Sequence, residues 1–315
     1  MRFLVTGAAG FIGAATATEL LDQGHEVVGL DAITDFYDPA IKLRNLDRLV
    51  SRAGFQFHRL DLLVDPIDHV LIGVDAIVHL AGQPGVRRSW SDFTSYVEAN
   101  VQATKVVLDA AVRHGTRRVV YASSSSVYGD AGGFPTSEDQ ATVPASPYAI
   151  TKLAGEQLVH LYGTSRGLET VSLRYFTVYG PGQRPDMLTH RLLDAAVTDT
   201  PITIFGSGRQ IRDFTYVDDV ARANLAAATQ PVPSGLAINI AGGTSCSVNE
   251  MITTVEHLLG RPVPRVHTTA AAGDVIRTGG DTSRATHHLG WKPLVSLAEG
   301  LQRHIDSHLP VNATG

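Results

Sequence analysis

Tyr148 and Lys152 stand four residues apart in Ser146-Pro147-Tyr148-Ala149-Ile150-Thr151-Lys152. Pro147 suits the first turn of a helix, where its missing N–H has no partner to lose. On a helix that opens there, the phenol and the ammonium share one face. A cation beside a phenol favours the phenolate, so the spacing predicts a tyrosine tuned towards neutral pH. Such a group takes a proton from an alcohol and gives it back. The pair is short enough to arise by chance, and its meaning depends on the rest of the chain.

A second group is Thr6-Gly7-Ala8-Ala9-Gly10-Phe11-Ile12-Gly13, between the apolar run Arg2 to Val5 and the helix formers Ala14 to Gln23, which Gly24 stops. Glycines at a strand-to-helix turn let backbone N–H groups close on a pyrophosphate at the helix N-terminus. The next run, Glu26 to Leu30, ends in Asp31. As a solvated turn acid Asp31 has no role. After this glycine turn it instead accepts both ribose hydroxyls of an adenosine and repels a 2′-phosphate. No arginine follows it directly, so the cofactor predicted is NAD rather than NADP.

These groups need strands and helices to hold them. Strand patterns recur at Phe55 to Leu60, Asp75 to Leu80, Arg118 to Ala122 and Thr170 to Arg174. Helical patterns recur at Ile41 to Arg52, Tyr96 to His114 (which contains Asn100) and Tyr148 to Tyr162. The alternation predicts an α/β fold with a doubly wound, mostly parallel (Rossmann) sheet. Asp61-Leu62 closes the third strand, and Asp61 is either a loop acid or a partner for an adenine amino group. His79 reads as a packed histidine, and Leu80-Ala81-Gly82 as a strand end that a cofactor passes. Arg87 and Arg88 are exposed arginines or anion contacts. Ser123 to Ser126 put four hydroxyls at a strand's C-terminal end, the usual ligand crevice of an open parallel sheet.

Beyond Phe176 the alternation weakens into short strands at Ile202 to Phe205, Arg212 to Tyr216 and Ala237 to Ile240, with helices at Asp218 to Ala228 and Val248 to Leu259. This predicts a smaller, interleaved substrate lobe. The expected division is a cofactor domain of 1–175, with 213–241 returning to it, and a substrate domain of 176–212 and 242–315.

Composition narrows the function. The 315 residues carry 26 basic and 31 acidic side chains, for a net charge of −5, which argues against a general nucleic-acid binder. Cys246 is the only cysteine, so there is no disulfide framework and no cysteine zinc site, and no metal is expected. The opening run is broken by glycines and is not a signal sequence. No apolar run is long enough to span a bilayer. The expectation is a cytoplasmic protein with no membrane partner.

Taken together, the Thr6–Gly13 turn, Asp31, Asp61-Leu62, the serine run, the Tyr148/Lys152 pair and Arg212-Asp213-Phe214-Thr215-Tyr216-Val217-Asp218-Asp219 resemble the extended short-chain dehydrogenase/reductase family over essentially the whole chain. Within it, the likeness is to NAD-dependent nucleotide-sugar epimerases, and most to UDP-glucuronate 4-epimerases. The residues that carry it are Pro84-Gly85-Val86-Arg87, the serine run, Arg174 to Pro181, and Arg184-Pro185-Asp186-Met187. The resemblance implies Tyr148 as base, Lys152 on the nicotinamide ribose and Ser124 on the reacting sugar oxygen. It implies NAD contacts at Gly7, Gly10, Phe11, Ile12, Gly13, Asp31, Asp61, Leu62, Leu80, Ala81, Asn100, Tyr148 and Lys152. UDP-sugar contacts fall at Pro84, Arg87, Ser124, Ser125, Thr177, Arg184, Arg212 and Arg277, the last two at the diphosphate. It also implies a homodimer through the helices around 100–114 and 148–162. Gly182 stands where family members carry a longer charged segment. UDP-glucose is the alternative substrate. Related 4,6-dehydratases and UDP-glucuronate decarboxylases carry acids where this chain has Ser125-Ser126, and a non-catalytic dinucleotide sensor has no need of a tuned phenol.

Overall fold

The computed structural model describes residues 1–269 and 275–308. Of the expected sugar domain, 270–274 and 309–315 lie outside the described residues. The first half of the chain runs β1 (Arg2–Thr6), α1 (Phe11–Asp22), β2 (Glu26–Asp31), α2 (Pro39–Val50), β3 (Phe55–Arg59), β4 (Ala76–His79), α3 (Phe93–Val97), α4 (Ala103–His114), β5 (Arg118–Ser124), α5 (Pro147–Ser165) and β6 (Glu169–Tyr175). It continues as β7 (Thr177–Tyr179), α6 (Leu188–Thr198), β8 (Ile202–Phe205), β9 (Ile211–Tyr216), α7 (Val217–Thr229), β10 (Leu236–Ile240), β11 (Ser245–Ser247), α8 (Val248–Leu259), β12 (Arg265–Thr268), α9 (Ser283–Leu289) and α10 (Leu297–His308).

Among the described residues, seven strands pair in the order β10-β6-β5-β4-β1-β2-β3, and every pairing is parallel. Parallel strands covered on both faces read as unbroken apolar runs. Phe3, Leu4 and Val5 of β1 are all fully buried. Their side chains alternate between two cores. Phe3 and Val5 pack with Ala17 and Leu20 of α1 and Val220 and Ala223 of α7. Leu4 packs with Val107 and Leu108 of α4 and Val159 of α5. Strand order reverses between β1 and β4, which opens a crevice at the C-terminal ends of the strands.

The second lobe holds a three-stranded sheet, β11-β9-β7, and the β12–β8 pair. Two sequence expectations change here. β9 pairs with β7 and β11, not with the main sheet, so residues 213–216 do not rejoin the cofactor layer. The chain returns at α7, which packs on α1, and at β10, which pairs with β6. The helix expected over Tyr96 to His114 begins earlier, at Phe93, and is interrupted by a π-turn at Glu98–Gln102. Just beyond that turn the Thr104 hydroxyl donates to the Asn100 carbonyl at 2.8 Å, the i−4 back-bond of a helical threonine.

Candidate active site

The glycine turn lies between β1 and α1. Gly7 has φ +73°, a left-handed backbone that favours glycine. A Cβ on Gly13 would stand 1.9 Å from the Gly7 carbonyl oxygen, so the first turn of α1 closes on the loop only with glycine there. The N-cap of α1 is Gly10, with no capping side chain and no acid in the first turn. Its backbone donors therefore face the crevice unmasked, which suits a diphosphate. At the end of β2, Asp31 is buried; its Oδ2 accepts from Ala9 N at 3.2 Å and its Oδ1 from Ile33 N at 2.7 Å. Asn45 of α2 braces the same loop through the Ala9 carbonyl at 3.2 Å. These residues fit a dinucleotide.

The crevice widens into a cleft of about 1140 Å³. That exceeds the roughly 300–1,000 Å³ of a pocket for one small ligand. The expected cofactor residues Gly7, Gly10, Phe11, Ile12, Gly13, Asp31, Asp61, Leu62, Leu80, Ala81 and Asn100 all line it. Pro84, Arg87, Ser124, Ser125, Tyr148, Lys152, Thr177, Arg184 and Arg212 line it too. Arg277 does not, although its neighbours Val275 and Thr278 do. Its guanidinium lies 3.1 Å from the centre of the Phe134 ring, and its backbone bridges to Ile211, next to Arg212. His79 is a packed histidine, held between the Thr6 hydroxyl at 2.7 Å and the Thr104 hydroxyl at 3.1 Å.

Ser146 caps α5 by accepting from Ala149 N at 3.2 Å, with Pro147 in the first turn. This sets Tyr148 and Lys152 on the cleft side. Their electrostatics differ from the sequence expectation. Burial holds the Tyr148 phenol above its ordinary value, and the Ser124 hydroxyl and the Arg184 guanidinium pull it back down. Burial also brings the Lys152 ammonium down to about 7, against the opposing pull of Glu156. The groups that lower the phenol are Ser124 and Arg184, and the Lys152 ammonium is not among them. Its Nζ lies 4.5 Å from the centre of the Tyr121 ring. Glu156, one turn on, is committed elsewhere, to Arg174 at 2.5 Å and to the Ser123 hydroxyl at 2.5 Å. Ser123 borders the cleft with its hydroxyl given to Glu156. Ser126 donates to Ser124 Oγ at 2.8 Å and leaves the Ser124 hydroxyl hydrogen for another acceptor.

Across the cleft, Arg184 is held by Asp186 in a two-bond fork, Nε to Oδ1 and Nη2 to Oδ2, both at 2.9 Å. Arg87 stacks on Phe205 of the second lobe, with 3.7 Å from guanidinium to ring centre. Arg212 donates to the Ile211 carbonyl at 2.7 Å.

A family described as the NAD dependent epimerase/dehydratase family matches residues 3–241. The chain belongs to that family. A UDP-glucuronate 4-epimerase of Thermodesulfobacterium geofontis is 38% identical, over 96% of this chain and 95% of its own. An uncharacterised UDP-glucose epimerase of Bacillus subtilis is 43% identical, over 97% of each. The crystal structure of UDP-glucuronic acid 4-epimerase from Bacillus cereus, in complex with UDP-glucuronic acid and NAD, is similar with a TM-score of 0.94 and 40% identity, covering 98% of this chain and 99% of that one.

In this epimerase/dehydratase the sequence reading missed several residues that shape the cleft. Tyr96 is fully buried, donates to the carbonyls of Pro84 and Gly85 at 2.8 and 2.7 Å, and meets Tyr148 edge-on at 6.2 Å. Its position four residues before Asn100 was the available signal. Asn100 itself fixes the strand-end loop: its Oδ1 accepts from Gln83 N at 2.8 Å, and its Nδ2 donates to the Gln83 carbonyl and the Thr151 hydroxyl, each at 3.0 Å. Thr6 accepts from the N–H groups of Leu80 and Ala81 at 3.2 and 3.1 Å, which ties the glycine strand to the β4 end.

Proposed function

We propose that this chain is a UDP-glucuronate 4-epimerase that interconverts UDP-glucuronate and UDP-galacturonate through a transient 4-keto sugar. What carries the reading is a phenol flanked by the Ser124 hydroxyl and the Arg184 guanidinium, in one cleft with an uncapped glycine turn. Bound along that turn, NAD supplies the hydride acceptor at the start of a turnover and the hydride donor at its end. Tyr148 takes the C4 hydroxyl proton and later returns it. Ser124 bonds the same oxygen and holds it against the phenol. Lys152 sits close to its own titration point and acts on the ribose side of Tyr148. Arg212 and Arg277 serve the UDP diphosphate. The cofactor lobe comprises residues 1–175 and 217–241, and the second lobe holds the nucleotide sugar.

A 4-keto glucuronate is a β-keto acid. It loses CO₂ when its carboxylate bond stands perpendicular to the ketone plane, so an epimerase must hold the carboxylate out of that orientation. A guanidinium fork does this, because it grips a carboxylate in one plane. Arg184 lines the cleft with its fork held by Asp186, and the substrate carboxylate takes that fork by displacing Asp186. The Bacillus subtilis relative favours a second reading, a UDP-glucose 4-epimerase. The lyase readings lack support, since residues 123–126 offer hydroxyls and no carboxylate.

We also place the protein in the cytoplasm as a homodimer joined through α4 and α5. Val112 on α4 and Ile150 and Leu161 on α5 expose 39%, 50% and 52% of their surface. No helix among the described residues is long and apolar enough to cross a membrane. The deciding experiment incubates purified protein with UDP-glucuronate and UDP-glucose separately and identifies the products by NMR. UDP-galacturonate is the expected product. Turnover of UDP-glucose alone overturns the assignment.

A further inference from the structure

α6 and α10 each carry a pair of ligand-type residues four apart, His190 and Asp194 on the first, His304 and His308 on the second. Residues at i and i+4 share a helix face, and here the two faces meet. One ring nitrogen from each of the three histidines lies within 4.8 Å of the other two. His190 Nε2 is 3.4 Å from Asp194 Oδ2, and His308 Nε2 is 2.8 Å from Asp194 Oδ1. The rings of His190 and His308 meet edge-on, with centroids 4.7 Å apart.

His304 makes this more than an aromatic cluster. It is 1% exposed, and neither of its ring nitrogens has a hydrogen-bond partner among the described residues. A buried imidazole without a partner at either nitrogen is costly, and such groups in folded proteins call for an explanation. Stacking against the other rings does not supply one, since it leaves both nitrogens unsatisfied.

We propose that His190, His304 and His308, with Asp194 as the fourth ligand, bind a divalent transition-metal ion of the zinc class. Imidazole and carboxylate donors suit zinc and its neighbours. Metal bonds of about 2.0–2.1 Å in a tetrahedron set donor atoms ~3.3–3.4 Å apart. The Asp194 carboxylate now bonds His308 through one oxygen at 2.8 Å and faces His190 with the other at 3.4 Å, so it exchanges these contacts for the ion when it joins as fourth ligand. The three histidine donors, within 4.8 Å of one another, draw in to that spacing as the ion binds. Four protein ligands and no open position describe a structural site, not a catalytic one. None of the four lines the cleft. The ion clamps α10 onto α6, the helix that begins directly after Arg184 to Met187. The expectation of no metal rested on the lone cysteine and on His79, and it overlooked histidines separated by more than a hundred residues.

The test uses tag-free protein stripped with a chelator, then titrated with zinc or cobalt. Wild type takes up one equivalent per chain, its melting temperature rises, and cobalt gives the visible absorption of a four-coordinate site. His308→Ala, at a partly exposed position, and His190→Ala each weaken binding by about a hundredfold or more. His287→Ala, in the histidine pair of α9, leaves uptake unchanged. Chelation leaves sugar turnover intact well below the melting temperature. Uptake below about a tenth of an equivalent, or undiminished uptake by His308→Ala, overturns the proposal.

Discussion

Replacing Lys152 with methionine should destroy turnover and at the same time make the empty protein more stable. Burial lowers the Lys152 ammonium from 10.5 to about 7. Between those two values the unfolded chain holds a proton that the folded chain does not, so the stability of the empty protein rises with pH across that window. At ~1.4 kcal/mol per pH unit, the gap is worth ~5 kcal/mol. This destabilisation is fully present below about pH 7, shrinks to ~2 kcal/mol near pH 9, and vanishes above 10.5. Methionine has nearly the same length and keeps a favourable contact with the Tyr121 ring. The measurement is urea unfolding of NAD-free wild type and Lys152→Met at pH 6 and pH 9. The variant should lead at both, by ~3 kcal/mol more at pH 6. Other titrating groups cancel in the difference. An equal lead at both pH values, or a less stable variant, would refute the argument that the fold holds this ammonium at its own expense.

Tyr148→Phe should cut turnover by about two to four orders of magnitude, the usual worth of a general acid–base group. NAD should remain bound, as absorbance of heat-released supernatant will check. Arg184→Ala should lower UDP-glucuronate use by ~10- to 150-fold, the value of a lost charge-assisted contact of about 1.5–3 kcal/mol. UDP-glucose binding should change far less, and unchanged selectivity in a paired kinetic assay would remove Arg184 from the sugar site. Asp31→Ala should narrow the preference for NAD over NADP in direct binding. It should also cost about 1–3 kcal/mol of stability, because the N–H groups of Ala9 and Ile33 lose their acceptor.

The parts of the fold that the sequence announces are those where local chemistry and tertiary packing agree. β1, β2 and β5 are buried on both faces and appear as apolar runs. α5 and α8 carry their own caps, Ser146 with Pro147 and the Ser247–Glu250 capping box. β12 was invisible because its four residues are all exposed and show no pattern. β7 and β11 are three residues each, and their pairing is a tertiary event. α6, α9 and α10 follow loops rich in glycine, proline and aspartate, and α6 and α9 have no side-chain cap bond to mark where the helix begins. The cleft residues were legible from motifs, but their ionisation was not. The sequence puts a cation beside a phenol, and only the packing of Lys152 against Tyr121 and Gly82 reveals how little water reaches it.

The return of α7 to the cofactor layer has a consequence for synthesis. The Asn224 amide donates to the Thr16 hydroxyl at 2.9 Å in a buried contact between α7 and α1. β1, β2 and α2 cover other sides of α1, but α7 packs on it most extensively, so that side of the helix stays open until residue 229 has left the ribosome. At ~5–20 residues per second that wait is roughly ten to forty seconds. The nascent glycine turn is complete in sequence throughout this time, yet it lacks the wall that holds its helix in place. A chain cut at the end of β6 carries every cofactor residue named above and still has an open apolar face. It should therefore aggregate rather than bind dinucleotide, since the cofactor lobe closes only once α7 has been made.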